Sequence, residues 1–201
     1  MARRSVGKAR PGSWRALRLE DLARPVRSMP VTMRAGSVRV LGLDPGSVKT
    51  GYGIVDTDGP AVTCVAHGAI QIKNDDFAAR LRQIHSALLE LLERYQPDEV
   101  AIERVFVSRN VDSALKLGQA RGAALAAVPA TTRIHEYAPR AVKMAVVGTG
   151  GAEKHQVQHM VVQLLGLASR PTADAADALA LAVCHANHRR LGALEPRAAA
   201  G

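Results

Sequence analysis

The stretch VLGLDPGSVKTGYGIV, residues 40–55, sets one carboxylate between an apolar run and a cluster of glycines. Val40, Leu41 and Leu43 favour an extended, buried strand. Asp44 ends that run, Pro45-Gly46 marks a turn, and Gly51-Tyr52-Gly53 opens a second apolar run. Taken alone, the stretch leaves three roles open for Asp44: turn residue, phosphate-loop acid, or metal ligand. The rest of the chain has to decide.

Outward from that stretch, residues 38–44, 51–56 and 61–72 read as three short apolar, β-branched strands separated by PGS and DTDGP turn signals. This pattern predicts an antiparallel meander. Residues 75–95 follow with Phe77, Leu81, Ile84, Leu88, Leu91, Leu92 and Tyr95 at steps of three and four, the period of a helix. Pro97 stops it, and DEVAIE (98–103) reads as a short strand ending on Glu103. A small-residue-rich helix over 110–127, a strand over 131–137, and helices over about 153–166 and 173–188 complete the pattern. The order predicts an α/β fold: a mixed five-stranded sheet flanked by helices.

The 201 residues suit one domain with a sizeable core. The net charge of +9 suggests a polyanionic partner, but residues 1–34 hold nine Arg or Lys against Glu20 and Asp21. That segment carries +7, which leaves +2 for residues 35–201. Any polyanion must therefore be held by local patches and metal rather than by bulk charge. Residues 1–34 read as a disordered basic extension, 35–188 as the folded domain, and 189–201 as a disordered tail. The extension suits a transit peptide, a DNA-binding arm, or a segment upstream of a start at Met29 or Met33. Cys64 and Cys184 form neither a disulfide framework nor a zinc spacing, so a reducing cytoplasm is expected. No apolar run approaches the roughly 18 residues of a membrane span.

Three further acids stand out. Glu103 closes an apolar strand that carries it out of the core. Asp174 and Asp177 lie in TADAADALALAV and share one face of a helix's first turn. Each has a plain structural role available: a solvated strand end for Glu103, helix capping and dipole compensation for the aspartates. As a set, Asp44, Glu103, Asp174 and Asp177 supply the hard oxygen ligands that magnesium takes. Two such ions about 4 Å apart serve phosphodiester cleavage.

Four separated motifs, LGLDPGSVKTGYGIV, AIERVFVSRNVDSALKLGQARG, VKMAVVGTGGAEKHQVQHMV and ADAADALALA, resemble the RuvC family of Holliday-junction resolvases, in that family's order. The resemblance covers roughly residues 38–188. It implies an RNase H-like fold, a homodimer, and a Mg²⁺-dependent endonuclease with two ions per site and Mn²⁺ as a substitute. Such an enzyme nicks two strands of a four-way DNA junction symmetrically and leaves 5′-phosphate and 3′-hydroxyl ends. The resemblance makes Asp44, Glu103, Asp174 and Asp177 the catalytic metal ligands. It places Lys143 and Lys154 near the scissile strand, and it implies a branch-migration complex of the RuvA/RuvB kind as partner.

Phe106, which follows a strand end, suits stacking on an unpaired base, with core packing as its alternative, and the resemblance implies a place at the junction centre. Arg109 is the basic residue expected against the junction strands. VVGTGGAEK lacks the GxxxxGK[ST] arrangement, so a nucleotide P-loop is not expected. His155 and His159, at i and i+4, do not form HExxH. Rival readings are an actin/Hsp70-like ATPase, which needs two lobes, a catalytically inactive junction-binding module, and another RNase H-like nuclease acting on RNA or other branched DNA.

Overall fold

The computed structural model describes residues 36–73, 76–104 and 110–194. The expectations for residues 1–34 and 195–201, and for Phe106 and Arg109, fall outside the described residues. Three strands, β1 (Val38–Asp44), β2 (Lys49–Asp58) and β3 (Ala61–Gln71), form the antiparallel meander. Helix α1 (Phe77–Tyr95) leads to β4 (Glu99–Glu103), and α2 (Val111–Ala126) leads to β5 (Arg133–Tyr137). Both β4 and β5 add to the sheet in parallel, giving the order β3-β2-β1-β4-β5. Helices α3 (Pro139–Val147), α4 (Lys154–Leu164) and α5 (Ala173–Leu194) follow. This is the mixed five-stranded sheet that the sequence pattern predicts, and it suits the RNase H-like fold that the resemblance implies. Among the described residues it forms one sheet, so the two-lobed ATPase reading has no second lobe to stand on.

The helix boundaries follow local chemistry. Asp76 caps α1 by accepting from the backbone N–H groups of Ala78 and Ala79. Gln96 ends it in the left-handed region at φ 47°, just before Pro97. Helix α3 was not expected from the sequence. Its signals are Pro139 in the first turn, Val142 and Val146 one turn apart on the buried side, and Gly148 at φ 82° as the C-cap. α5 also runs on to Leu194 instead of ending near 188, so residues 189–194 of the predicted tail are helix.

Strand alternation divides the core into two layers. Leu41, Leu43, Val100 and Ile102 face α1 and α2, while Val40, Val55 and Ala101 face α3, α4 and α5. α5 lies close on the second face because both surfaces are small. Ala175, Ala176, Ala178, Ala180, Ala182 and Ala186 are buried along it. A Cβ on Gly42 would meet the Ala178 carbonyl oxygen at 2.0 Å, and one on Gly53 would meet the Leu179 nitrogen at 2.7 Å.

A buried cation pins the far end of the sheet. Arg39, 1% exposed, donates to both carboxylate oxygens of Asp56 at 2.7 and 2.8 Å and to the Tyr95 carbonyl at 3.0 Å. Its backbone N–H donates to Asp98 at 2.7 Å, which ties β1 to the entry of β4. Breaking one partner of such a buried pair typically costs about 3–5 kcal/mol.

Gly42→Ala is expected to cost at least about 2–3 kcal/mol, because its Cβ must move the α5 backbone and not a side chain. Urea unfolding would read this as a fall in midpoint. An unchanged midpoint would mean that α5 does not seat on β1 this closely.

Candidate active site

β1 and β4 are parallel and in register, Leu43 beside Ile102, so Asp44 and Glu103 end adjacent strands at one edge of the sheet. Adjacent strands lie about 5 Å apart. By alternation both side chains point to the α5 face, the side of Val40 and Ala101. On the other flank of β1, Gly51 pairs with Asp44. A Cβ on Gly51 would meet the Asp174 carbonyl oxygen at 2.0 Å and the Asp174 Cβ at 3.2 Å. The first turn of α5 therefore lies directly over the strand residue beside Asp44. Thr172 starts that turn, its hydroxyl accepting from the Ala175 N–H at 3.4 Å. Asp174 and Asp177 thus arrive from about 130 residues downstream along the chain, at the helix end where the dipole favours carboxylates.

Asp44, Glu103 and Asp177 line a cleft of about 410 Å³ with Lys143, Lys154, Pro139, Val142 and Val157. Asp174 lies beside this cleft, close enough to act on Asp44 electrostatically. Helix α3, missed in the sequence, supplies one wall and carries Lys143. The first residue of α4, Lys154, reaches Asp177 at 2.5 Å. Three of the four expected acids and both expected lysines thus line one cleft, with Asp174 beside it. His155 points elsewhere, 3.2 Å from Glu153, and His159 is exposed.

The electrostatics follow from crowding. Burial, then the charges of Asp177 and Glu103, push the Asp44 carboxyl up to about 7. Burial and Asp177 also raise Glu103. The hydrogen bond to Asp177 raises Lys154 in turn. A dication would relieve this crowding, and the donors are all carboxylate oxygens with no imidazole or thiolate among them. That donor set fits magnesium or manganese.

The chain matches the family model described as "Crossover junction endodeoxyribonuclease RuvC" over residues 40–185. The crossover junction endodeoxyribonuclease RuvC of Aliivibrio fischeri strain MJ11 is 52% identical over 149 residues, 74% of this chain and 86% of the relative. That of Shewanella piezotolerans is 56% identical over 147 residues, 73% and 85% of the two chains. Among solved structures, Thermus thermophilus RuvC in complex with Holliday junction substrate superposes with a TM-score of 0.70 at 36% identity, covering 77% of this chain and 96% of that one. The yeast mitochondrial Holliday junction resolvase Ydc2, at 14% identity and a TM-score of 0.55 over 77% and 84% of the two chains, shares the fold.

The pKa of Asp44 has a sign that can be checked in metal-free protein. Its folded value of about 7 lies above its ordinary 3.8, so between these values the folded state binds the extra proton. The Asp44 contribution to stability therefore falls as pH rises from about 4 to about 7, by a few kcal/mol at most. In chelator, Asp44→Asn should melt a few degrees above the unsubstituted protein at pH 8 and lose that advantage near pH 4. Parallel melting curves across this range would show that Asp44 is not crowded.

Proposed function

The chain belongs to the RuvC family of crossover junction endodeoxyribonucleases, and on that premise we propose that it resolves four-way DNA junctions by paired, symmetric, metal-dependent nicks. One observation carries the reading beyond family membership: Asp44, Glu103 and Asp177 converge with two lysines on a single open cleft, with Asp174 alongside. In this reading Asp44, Glu103, Asp174 and Asp177 hold two magnesium ions, with manganese as a substitute. When bound, the ions polarise the scissile phosphodiester and assist ionisation of the attacking water. The chain's own residues do the rest. Asp44 must give up its proton to serve as a ligand, which ties activity to pH. Lys143 and Lys154 present ammonium groups to the phosphates flanking the cut.

We assign Phe106 to stacking at the junction centre and Arg109 to the adjoining strands, on the strength of the family resemblance. The reading carries a cytoplasmic location, where the DNA is, and a RuvA/RuvB-type branch-migration partner. Rival nucleases on RNA or other branched DNA find no specific support in the site.

Synthetic junctions test this directly. With Mg²⁺, the protein should convert a four-way junction into two nicked duplexes, while Asp44→Asn or Glu103→Gln binds but cuts about 10²-fold slower or worse. Cleavage at the normal rate by either variant would remove that acid from the site. Phe106→Ala should lose resolution and keep duplex binding.

Two symmetric cuts need two sites related by a two-fold axis, and α2 offers a surface for pairing. Val111, Leu115, Gly118 and Gly122 recur along one side of the helix. Val111 and Leu115 are 69% and 60% exposed, and a Cβ on either glycine would meet open space. We propose that this stripe packs on its copy in a homodimer. Leu115→Glu should then sediment as a monomer and nick only one strand per encounter. A dimeric Leu115→Glu protein would move the interface elsewhere.

A further inference from the structure

β4 carries a second glutamate on the α5 face, at the end opposite Glu103. Glu99 lies there with His135 of β5 and His185 of α5, and their ligating atoms all fall within 4.8 Å of one another. His185 is 2% exposed; its Nε2 is 2.5 Å from Glu99 Oε2 and its Nδ1 2.6 Å from the Tyr137 hydroxyl. The rings of His135 and His185 lie 4.3 Å apart between centroids. His135 Nε2 is buried, has no hydrogen-bond partner, and sits 3.8 Å from Glu99 Oε2, too far for a hydrogen bond. A buried nitrogen without a partner is costly and marks a missing one. Arg189 pairs with the other oxygen of Glu99.

We infer that Glu99, His135 and His185 form a second cation site, separate from the acid cleft, suited to zinc or a similar borderline transition ion. Two imidazoles and one carboxylate are the ligands zinc takes, whereas magnesium prefers oxygen alone. Zinc ligands at about 2.0–2.1 Å in a tetrahedron sit about 3.3 Å from one another. The His185–Glu99 edge must therefore widen by less than 1 Å, and the His135–Glu99 edge must close by about half that.

The proton count balances without loss. With Glu99 ionised, the His185 tautomer that satisfies both contacts carries its proton on Nε2, donating to Glu99, and accepts at Nδ1 from the Tyr137 hydroxyl. Ligation through Nε2 moves that proton to Nδ1, which then donates to the Tyr137 oxygen, so the ring stays neutral and Tyr137 orients it from behind. His135 has a side chain 37% exposed, and with three protein ligands a fourth position would fall to water. Arg189 keeps Glu99 ionised but also repels a cation. With three protein ligands, the site is weaker than a closed four-ligand zinc centre.

The test uses the full chain, stripped of metal and then held in millimolar Mg²⁺ to occupy the acid cleft. Zn²⁺ is titrated against a chromophoric chelator, and Co²⁺ serves as a visible-absorption probe of geometry. One equivalent of zinc per chain and intense tetrahedral-type cobalt bands are expected. His135→Ala should weaken zinc binding at least tenfold and abolish the bands, and Asp44→Asn should change neither. His135 is partly exposed, so its removal leaves the core intact; circular dichroism checks this. No zinc uptake under Mg²⁺ would overturn the site. So would uptake untouched by His135→Ala, for example through His155 and His159, or uptake lost in Asp44→Asn.

Discussion

Everything in this molecule that bears chemistry hangs on how closely α5 can lie against β1 and β2. Glycines at 42, 51 and 53 remove the side chains that would hold the helix off, and alanines line the helix face that comes down on them. With a Cβ at any of the three, the helix backbone would be driven away by more than side chains can absorb. The approach is therefore a hard constraint and not a preference. It delivers Asp174 and Asp177 to the edge where β1 and β4 end on Asp44 and Glu103. The acid edge is a by-product of tight packing: the same glycine that seats the helix also fixes where its first carboxylate stands.

The sheet distributes charge along one face. β4 ends on Glu103 and begins on Glu99, about 13 Å away along an extended strand, and both face α5. At the Glu103 end the helix brings acids and the surroundings bring lysines. At the Glu99 end the helix brings His185 and Arg189. Oxygen donors thus gather at one end of a single strand–helix contact, and nitrogen donors at the other. If both proposed sites hold, hard and borderline cations would be sorted by position alone, because the two glutamates are chemically the same residue.

Much of this was legible in the residues. The alternation from Val38 onward and the PGS and DTDGP turns gave the meander, and the 3.6-residue period from Phe77 gave α1, because both are local signals. The acid set could be named only as an ordered group matched to the family resemblance, since each carboxylate alone has a plain structural role. Helix α3 escaped because it is short and its apolar residues, Val142 and Val146, make only one turn of periodicity; its Pro and Gly boundaries were the usable signal. The continuation of α5 past 188 escaped because Arg189 and Arg190 resemble a solvated end, whereas Arg189 is held by Glu99 from β4. The Arg39–Asp56 clamp and the Glu99–His135–His185 cluster could not be read from the chain, since their partners lie 17 to 86 residues apart and nothing local marks them.

Lys154 on Asp177 means that the resting site is already partly neutralised by a cation of its own, tethered on a flexible stem. The acid edge therefore does not depend on dissolved ions to keep its shape. On the proposed reading, loading and firing would be separable in time, with junction binding in a chelating solution coming before any cut. Divalent metal added afterwards would, on the same reading, compete with Lys154 for Asp177 and free its ammonium for a phosphate. A mixed population would then start together, which makes the interval between the first and second nick a quantity that can be timed.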